Sequence, residues 1–302
     1  MRISFSKSVA ESLLAKIRSG EAMSRNEKFN LIIQLSVPSI LAQVTTVLMF
    51  YIDAGMVGAL GTEPSAAIGL VEPATWLFFS LVSAVTMGFS VQVAHFIGAN
   101  DFPKARAVMR HGYIFGLCFA LFLLLITFLI GYHLPVWLGG GADIQHDATV
   151  YFLIFSLIIP FHLIEYMSAA MLKVSGDMRR PSFMAILMCV LDVIFNYFFI
   201  FPTRTISLFG MEMTMPGLGE GVAGAALGSL LSFVCVALPL AYYAIFRSPI
   251  LAWNQDVERF VWRWQYIWNA MKIGAPMALQ YLLMNGAQLV STMIVAPLGN
   301  IA

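Results

Sequence analysis

The stretch NLIIQLSVPSILAQVTTVLMFYIDAGMVGA, residues 30–59, decides the fold of this chain. It carries one charged side chain, Asp53, among otherwise apolar or small polar residues. A helix needs about 20 predominantly apolar residues to cross roughly 30 Å of hydrocarbon. The segment therefore predicts a transmembrane helix longer than the minimum, which tilts or extends beyond the bilayer.

Further apolar segments of similar length follow along the chain. The whole sequence is 60% hydrophobic and only 11% charged, with a mean hydropathy of +0.82, whereas a soluble domain carries about 25% charged residues. We predict an all-α membrane protein of the cell membrane, surrounded by the lipid bilayer. The seven predicted spans are 30–59, 66–97, 109–132, 148–172, 182–201, 221–246 and 267–296.

The basic residues predict the orientation of these spans. Of the 17 Lys and Arg residues, all but Arg204 lie in the N-terminal segment or in the second, fourth and sixth loops. Cytoplasmic loops carry the excess of Lys and Arg, so the alternation predicts a cytoplasmic N-terminus. Residues 1–29 have a basic start but no apolar core, and this pattern does not fit a cleavable signal peptide. We interpret them as a cytoplasmic segment, either an amphipathic surface helix or a disordered tail.

A weak internal repeat relates the seventh span to the first. A shift of 238 residues aligns five identical pairs: Pro38 and Pro276, Leu41 and Leu279, Val57 and Val295, Leu60 and Leu298, Gly61 and Gly299. Because six spans separate the copies, both start on the same side, as in a parallel repeat. The predicted organisation is a six-helix lobe at 30–247, then a cytoplasmic linker and the first helix of a truncated second lobe at 248–302.

Asp53 is the first candidate functional residue. It lies roughly 35 Å along a helix that begins near residue 30, in the outer half of the membrane. A charge within the membrane is expensive and by default indicates function. Pro38, Gly55 and Gly58 weaken the same helix and permit bending. The alternative is an aspartate that reaches interfacial water near the helix end.

Asp192 and Asn196 form a second candidate on the fifth span. Their spacing of four residues places them on one face of a helix, at a depth that overlaps that of Asp53. Burial disfavours the charged form of a carboxylate, so the group could exchange a proton. Oxygen ligands could equally hold Na⁺ at Asp53, Asp192 and Asn196. The alternative is a buried hydrogen-bonded pair that only joins helices.

Three further polar residues within spans have a weaker claim. Glu72 precedes Pro73 on the second span. The best explanation for its charge is that the side chain extends to the membrane–water interface. Glu165 and His162 lie one turn apart on the fourth span and could line a cavity or form a structural hydrogen bond.

Other function classes find no support in the sequence. No nucleophile elbow, Walker sequence or His-rich metal motif is present, so we predict neither an enzyme nor a cofactor. The three cysteines are isolated, the net charge is +1, and nothing indicates a nucleic-acid partner. A channel would need rings of charge or a repeated filter sequence.

Several motifs, in order, resemble those of the multidrug and toxic compound extrusion (MATE) family across residues 30–302. They are Asp53-Ala-Gly-Met-Val-Gly58, Gln92 with Gly98-Ala-Asn-Asp101, Gly176-Asp-Met-Arg-Arg-Pro181, Asn196-Tyr-Phe-Phe-Ile-Phe201 and Gly219 with Gly221-Val-Ala-Gly224-Ala-Ala226.

The resemblance implies a twelve-helix exporter of two six-helix lobes, which exchanges cationic or amphipathic compounds for H⁺ or Na⁺. It implies that Asp53 is the coupling aspartate, with Asp192 and Asn196 as its fifth-span partners and Ser229 as a sixth-span hydroxyl. The family often has Asn before Asp on the fifth span, and this chain has the reverse order. A missing C-terminal lobe is then a partner of this chain. The alternatives are a flippase for lipid-linked precursors from the same superfamily, which would need basic residues within the cavity, or an inactive remnant.

Overall fold

A computed structural model describes residues 12, 13 and 16 and the ranges 21–208, 211–255 and 260–296. Most of the segment predicted as an amphipathic or disordered tail lies outside the described residues. The last residues of this segment are helical: α1 begins at Arg25, five residues before the predicted start near residue 30. Ser24 and Glu27 form a capping box there: the Ser24 Oγ accepts from Glu27 N, and Glu27 Oε2 accepts from Ser24 N, which satisfies two otherwise unpaired donors.

The described residues form long helices and one hairpin. In chain order they are α1 (Arg25–Gly58), α2 (Thr62–Gly98), α3 (Phe102–Gly131), a single turn at Leu134–Trp137, α4 (Gln145–Ser156), α5 (Ile158–Val174), α6 (Arg179–Ile200), β1 (Pro202–Leu208), β2 (Met211–Leu218), α7 (Gly221–Tyr242), a π-helical turn at Tyr243–Arg247, a 3₁₀ turn at Trp253–Gln255, and α8 (Trp264–Val295).

The predicted number of spans is confirmed. Among the described residues, six helices are long and apolar enough to cross a membrane, and α4 and α5, which meet at a bend of 41°, give a seventh span when the pair is counted as one. We predicted this fourth span as one continuous helix. Pro160 explains the break at Leu157, because its ring collides with the carbonyl of Ser156 four residues earlier and it donates no hydrogen bond.

A two-stranded hairpin joins α6 to α7, and the sequence analysis did not predict it. Strands β1 and β2 pair antiparallel, with Pro202 opposite Leu218. Arg204, the exception to the alternation of basic residues, lies at this hairpin. Its guanidinium stacks 4.2 Å from the Phe201 ring centroid, and its Nε donates to the Tyr197 hydroxyl (3.0 Å).

Two of the loops that resemble family motifs, Gly98–Asp101 and Gly176–Pro181, contain the turns before α3 and α6. Both lie at the end of the bundle where α1 begins and where most Lys and Arg residues are found. Asn100 adopts a left-handed conformation (φ 57°), and Asp101 then caps α3 by accepting from Lys104 N. The hydrogen bond from the Lys104 side chain lowers the pKa of Asp101. Asp177 forms the equivalent turn before α6, where it accepts from the backbone N and the guanidinium of Arg180.

The linker before α8 is bound to α3 at the same end. Buried Arg106 donates to Ile250 O (3.0 Å), and Arg110 donates to Trp253 O (2.7 Å). His111 is fully buried: one ring nitrogen contacts Ala107 O and the other accepts from Arg263 N (2.8 Å). The described parts of the linker, 248–255 and 260–263, are therefore packed against the lobe.

The two copies of the repeat pack differently. Helix α8 lies antiparallel along α2, where Gln92 Nε2 donates to Tyr266 O (3.0 Å) and Asn285 Nδ2 donates to Ser80 Oγ (3.1 Å). Helix α1 instead packs mainly on α6, touches α2 little and leaves most of its apolar surface uncovered.

Close contact between α2 and α8 depends on Gly88. A Cβ there would lie 2.9 Å from Ala270 C and closer still to its carbonyl oxygen, whereas at Gly69 of the same helix a Cβ would meet nothing within 4 Å. We expect Gly88→Ala to destabilise the protein by about 1–3 kcal/mol, because the backbones must separate. Gly69→Ala should be neutral or slightly stabilising, since alanine favours a helix. Thermal unfolding of both variants in detergent measures this difference, and equal melting temperatures would contradict it.

Candidate functional site

One side chain, Asn196, joins the predicted residues of α1 and α6. Its Nδ2 donates to Asp53 Oδ1 (3.1 Å) across the two helices and to Asp192 Oδ2 (3.0 Å) one turn away on α6. The carboxyl groups of Asp53 and Asp192 are therefore bound to the same amide nitrogen. The structure thus brings together the three residues that the sequence analysis grouped by depth.

These residues differ in their accessibility. Asp192 and Asn196 are buried, with 0% and 2% of their surface exposed, while Asp53 is half-buried at the edge of α1. α1 starts at Arg25, so Asp53 lies about 42 Å along it, five residues before its end. The site is therefore deep in the lobe on the α6 side and accessible on the α1 side.

The surroundings of Asp192 include residues of α7. The predicted hydroxyl of Ser229 lies beside the Asp192 carboxyl, and so does that of Ser232, which we did not predict. Tyr151 of α4 lies within electrostatic range of both Asp53 and Asp192. The sequence analysis did not predict this residue either. A tyrosine near the start of an apolar helix carries no sequence signal that separates it from an interfacial anchor.

Gly228 makes the close approach of α6 and α7 possible. A Cβ at this position would lie 2.9 Å from Asn196 N and would overlap Asn196 Oδ1. One turn earlier, Gly224 packs in the same way on Phe199. The pair is a Gly-x-x-x-Gly motif, which in membrane helices marks a close helix–helix contact. This sequence signal could have located the interface.

The site has two unsatisfied oxygens and no basic partner among the described residues. Asp192 Oδ1 and Asn196 Oδ1 are buried without a hydrogen-bond partner in the described part of the chain. No Lys or Arg among the described residues forms an ion pair with either carboxylate. Two ionised carboxylates that share one amide donor in an apolar medium repel each other unless a proton or a cation is held between them. The arrangement can therefore take up a small cation.

The other three predicted polar residues lie outside this cluster. Glu72 is exposed on α2 and accepts from Trp76 Nε1 (3.2 Å). His162 and Glu165 do not hydrogen-bond to each other; the His162 ring stacks on Phe79 with centroids 4.4 Å apart. Across the described ranges, no three His, Cys, Asp or Glu side chains are grouped to hold a metal ion.

Apolar spans that hold a buried carboxylate and a half-buried one between helices are typical of a membrane transporter. The MatE family model matches residues 38–198, slightly more than half of the chain, and the chain belongs to this family.

Two curated relatives cover nearly all of this chain. A probable multidrug resistance protein NorM of Neisseria meningitidis is 25% identical over 276 residues, which are 90% of this chain and 57% of that protein. The multidrug export protein MepA of Staphylococcus saprophyticus is 22% identical over 279 residues, 92% of this chain and 58% of that protein. The chain thus spans somewhat more than half the length of these relatives.

Solved structures show the same fold. A transporter of the MOP superfamily from Pyrococcus furiosus superposes with a TM-score of 0.74 at 23% identity, over 86% of this chain and 54% of that one. The predicted all-α membrane fold of the MATE type is confirmed by this similarity.

Proposed function

We propose that this chain is the N-terminal portion of an efflux transporter that exchanges cationic or amphipathic compounds for H⁺ or Na⁺. The observation that carries the proposal is the Asn196 amide, which joins Asp53 on α1 to Asp192 on α6. The names of the NorM and MepA relatives support export of drugs rather than flipping of lipid-linked precursors.

The packing of α1 supports a mechanism for the exchange. α1 is attached to the lobe mainly through α6, and Pro38 removes one of its backbone hydrogen bonds. A proton or Na⁺ that binds at Asp53 and Asp192 removes their repulsion and so favours the arrangement of α1 in which the two carboxylates are close. A ligand shifts such an equilibrium only by its difference in affinity for the two states. Bending of α1 on cation binding would then release the substrate outward.

The exchange can be tested in proteoliposomes. The protein, expressed from its complete gene, is reconstituted, and export of ethidium is followed after imposing either a pH gradient or a Na⁺ gradient. We expect one of the two gradients to drive export and no export when neither gradient is imposed. The gradient that drives export identifies the coupling ion. Export that depends on neither gradient would contradict the proposal.

We also propose that the N-terminus is cytoplasmic and that the functional protein includes a second lobe. The distribution of Lys and Arg supports the orientation, and the length of the relatives supports the second lobe. Cysteine labelling of Ser24→Cys from either side of the membrane tests the orientation. The reading frame downstream of Ala302 tests the second lobe, for which five further apolar spans are expected.

A further inference from the structure

Glu72 is a carboxylate in a membrane span without a basic partner among the described residues. It lies ten residues into α2, about 15 Å from the start of that helix. The ion pairs of the described residues all lie elsewhere, at Glu27, Asp101 and Asp177. Its side chain is exposed. A carboxylate near the membrane interface that has no basic partner is available to a cationic ligand.

Aromatic rings stand next to this carboxylate. Trp76 Nε1 donates to Glu72 Oε1, which fixes the indole one turn further along α2. Phe50 of α1 packs edge-to-face on the indole, with centroids 5.3 Å apart. Trp76 and Phe50 remain 37% and 40% exposed, so both offer free ring surface beside Glu72. They form an aromatic corner between α1 and α2, two helices that otherwise make little contact.

We propose that Glu72, Trp76 and Phe50 form a binding site for a large organic cation with aromatic or apolar substituents. The carboxylate neutralises the charge, and the indole and phenyl rings attract the cation through their π faces. The apolar substituents of the cation pack on the exposed surfaces of Trp76 and Phe50. That such a cation is the transported compound rests on the function proposed above.

The position of the site accounts for competition between the organic cation and the coupling ion. Phe50, whose ring packs on Trp76, lies three residues before Asp53 in α1, so the aromatic corner and the Asp53 carboxyl are about one helical turn apart. A cation at Glu72 therefore makes it less favourable for a second cation to occupy Asp53 and Asp192, because like charges repel strongly where water is scarce. Exclusion of this kind is what an exchanger requires.

The test measures binding rather than transport. Tetraphenylphosphonium binding to the purified protein in maltoside detergent is measured by equilibrium dialysis, with tetraphenylborate as a probe of the same shape and opposite charge. We expect Glu72→Gln to weaken tetraphenylphosphonium binding by about tenfold and to leave tetraphenylborate binding unchanged or tighter. Glutamine can still accept from Trp76 Nε1, so the variant removes the charge and retains the hydrogen bond.

Matched variants separate the parts of the site. Glu63 is followed by Pro64, as Glu72 is by Pro73, in the same helix but on the opposite face, so Glu63→Gln should leave binding unchanged. Trp76→Leu should weaken binding several-fold, whereas Trp76→Phe should retain most of it because a π face remains. Choline, with the same charge but no aromatic groups, should bind at least tenfold more weakly than tetraphenylphosphonium, which distinguishes this site from one for lipid headgroups.

Wild-type affinity for tetraphenylphosphonium in Glu72→Gln, or equal losses in Glu63→Gln and Glu72→Gln, would overturn the site. Choline binding as tight as that of tetraphenylphosphonium would also overturn it. Asp53→Asn should still bind the probe, so a failure of ion coupling and a failure of this site give different results.

Discussion

Replacing Asp53 by Asn is expected to reduce gradient-driven export by roughly a hundredfold, to the level of leakage. Asp53 is the half-buried member of the pair, and it lies on the helix that is attached mainly through α6. Asparagine retains the shape and can still accept from Asn196 Nδ2, but it cannot bind a proton and it removes the repulsion from Asp192. The repulsion that a bound cation relieves is then absent whether or not the ion is present. The ion therefore no longer shifts the equilibrium between the two arrangements of α1.

The stability of Asp53→Asn separates a functional role from a structural one. Removing a charge from a membrane span removes an unfavourable term, so the melting temperature in detergent should stay the same or rise. Asp143→Asn, at an exposed carboxylate outside the cluster, serves as the control and should export normally. Retained export in Asp53→Asn would exclude this residue as the coupling site, and a lower melting temperature with loss of protein would indicate a structural role.

The sequence contains enough information for the spans, because their signal is local. A run of apolar residues such as 30–59 must be helical in lipid, where each backbone group needs an internal partner. The bend at Leu157 is also local, since Pro160 alone explains it. The hairpin at 202–218 was missed because its pairing depends on two short segments outside the apolar spans.

The packing partner of each helix could not be predicted from the same information. Helices α1 and α8 resemble each other in sequence, yet α8 packs on α2 and α1 packs on α6. Small residues decide which surfaces can meet, as at Gly88 against Ala270. Single glycines in apolar helices are common, so this contact becomes visible only when both helices are seen together.

The site was predictable where its residues carry side chains that are energetically unfavourable in a membrane. Asp53 and Asp192 stand out because each is an acidic residue in an apolar helix, and the spacing to Asn196 places the amide on the same face. Ser232 and Tyr151 were missed because a hydroxyl in a span has many ordinary roles, among them bonding to its own helix, as Ser232 does to Gly228 O.

Gly228→Ala is expected to impair coupling without altering any carboxylate. The new Cβ would overlap Asn196 Oδ1 and lie 2.9 Å from Asn196 N, a backbone atom. The asparagine side chain must therefore turn away or α6 must move, and either change breaks the bridge between Asp53 and Asp192. We expect export at a fixed ion gradient to fall by about tenfold or more, and overpacking to destabilise the protein by about 1–3 kcal/mol.

Gly224→Ala is the control that separates the effect of moving α6 and α7 apart from the effect of disturbing Asn196. It lies one turn away in the same α7 helix, and its Cβ would lie 2.6 Å from Phe199 C in the same α6–α7 interface. Both variants should therefore lower the melting temperature by similar amounts, because both force the same two helices apart. Only Gly228→Ala contacts Asn196, so only this variant should raise the H⁺ or Na⁺ concentration needed for half-maximal export. If both variants shift this ion concentration equally, the separation of α6 and α7 explains the loss and the Asn196 bridge has no specific part in coupling.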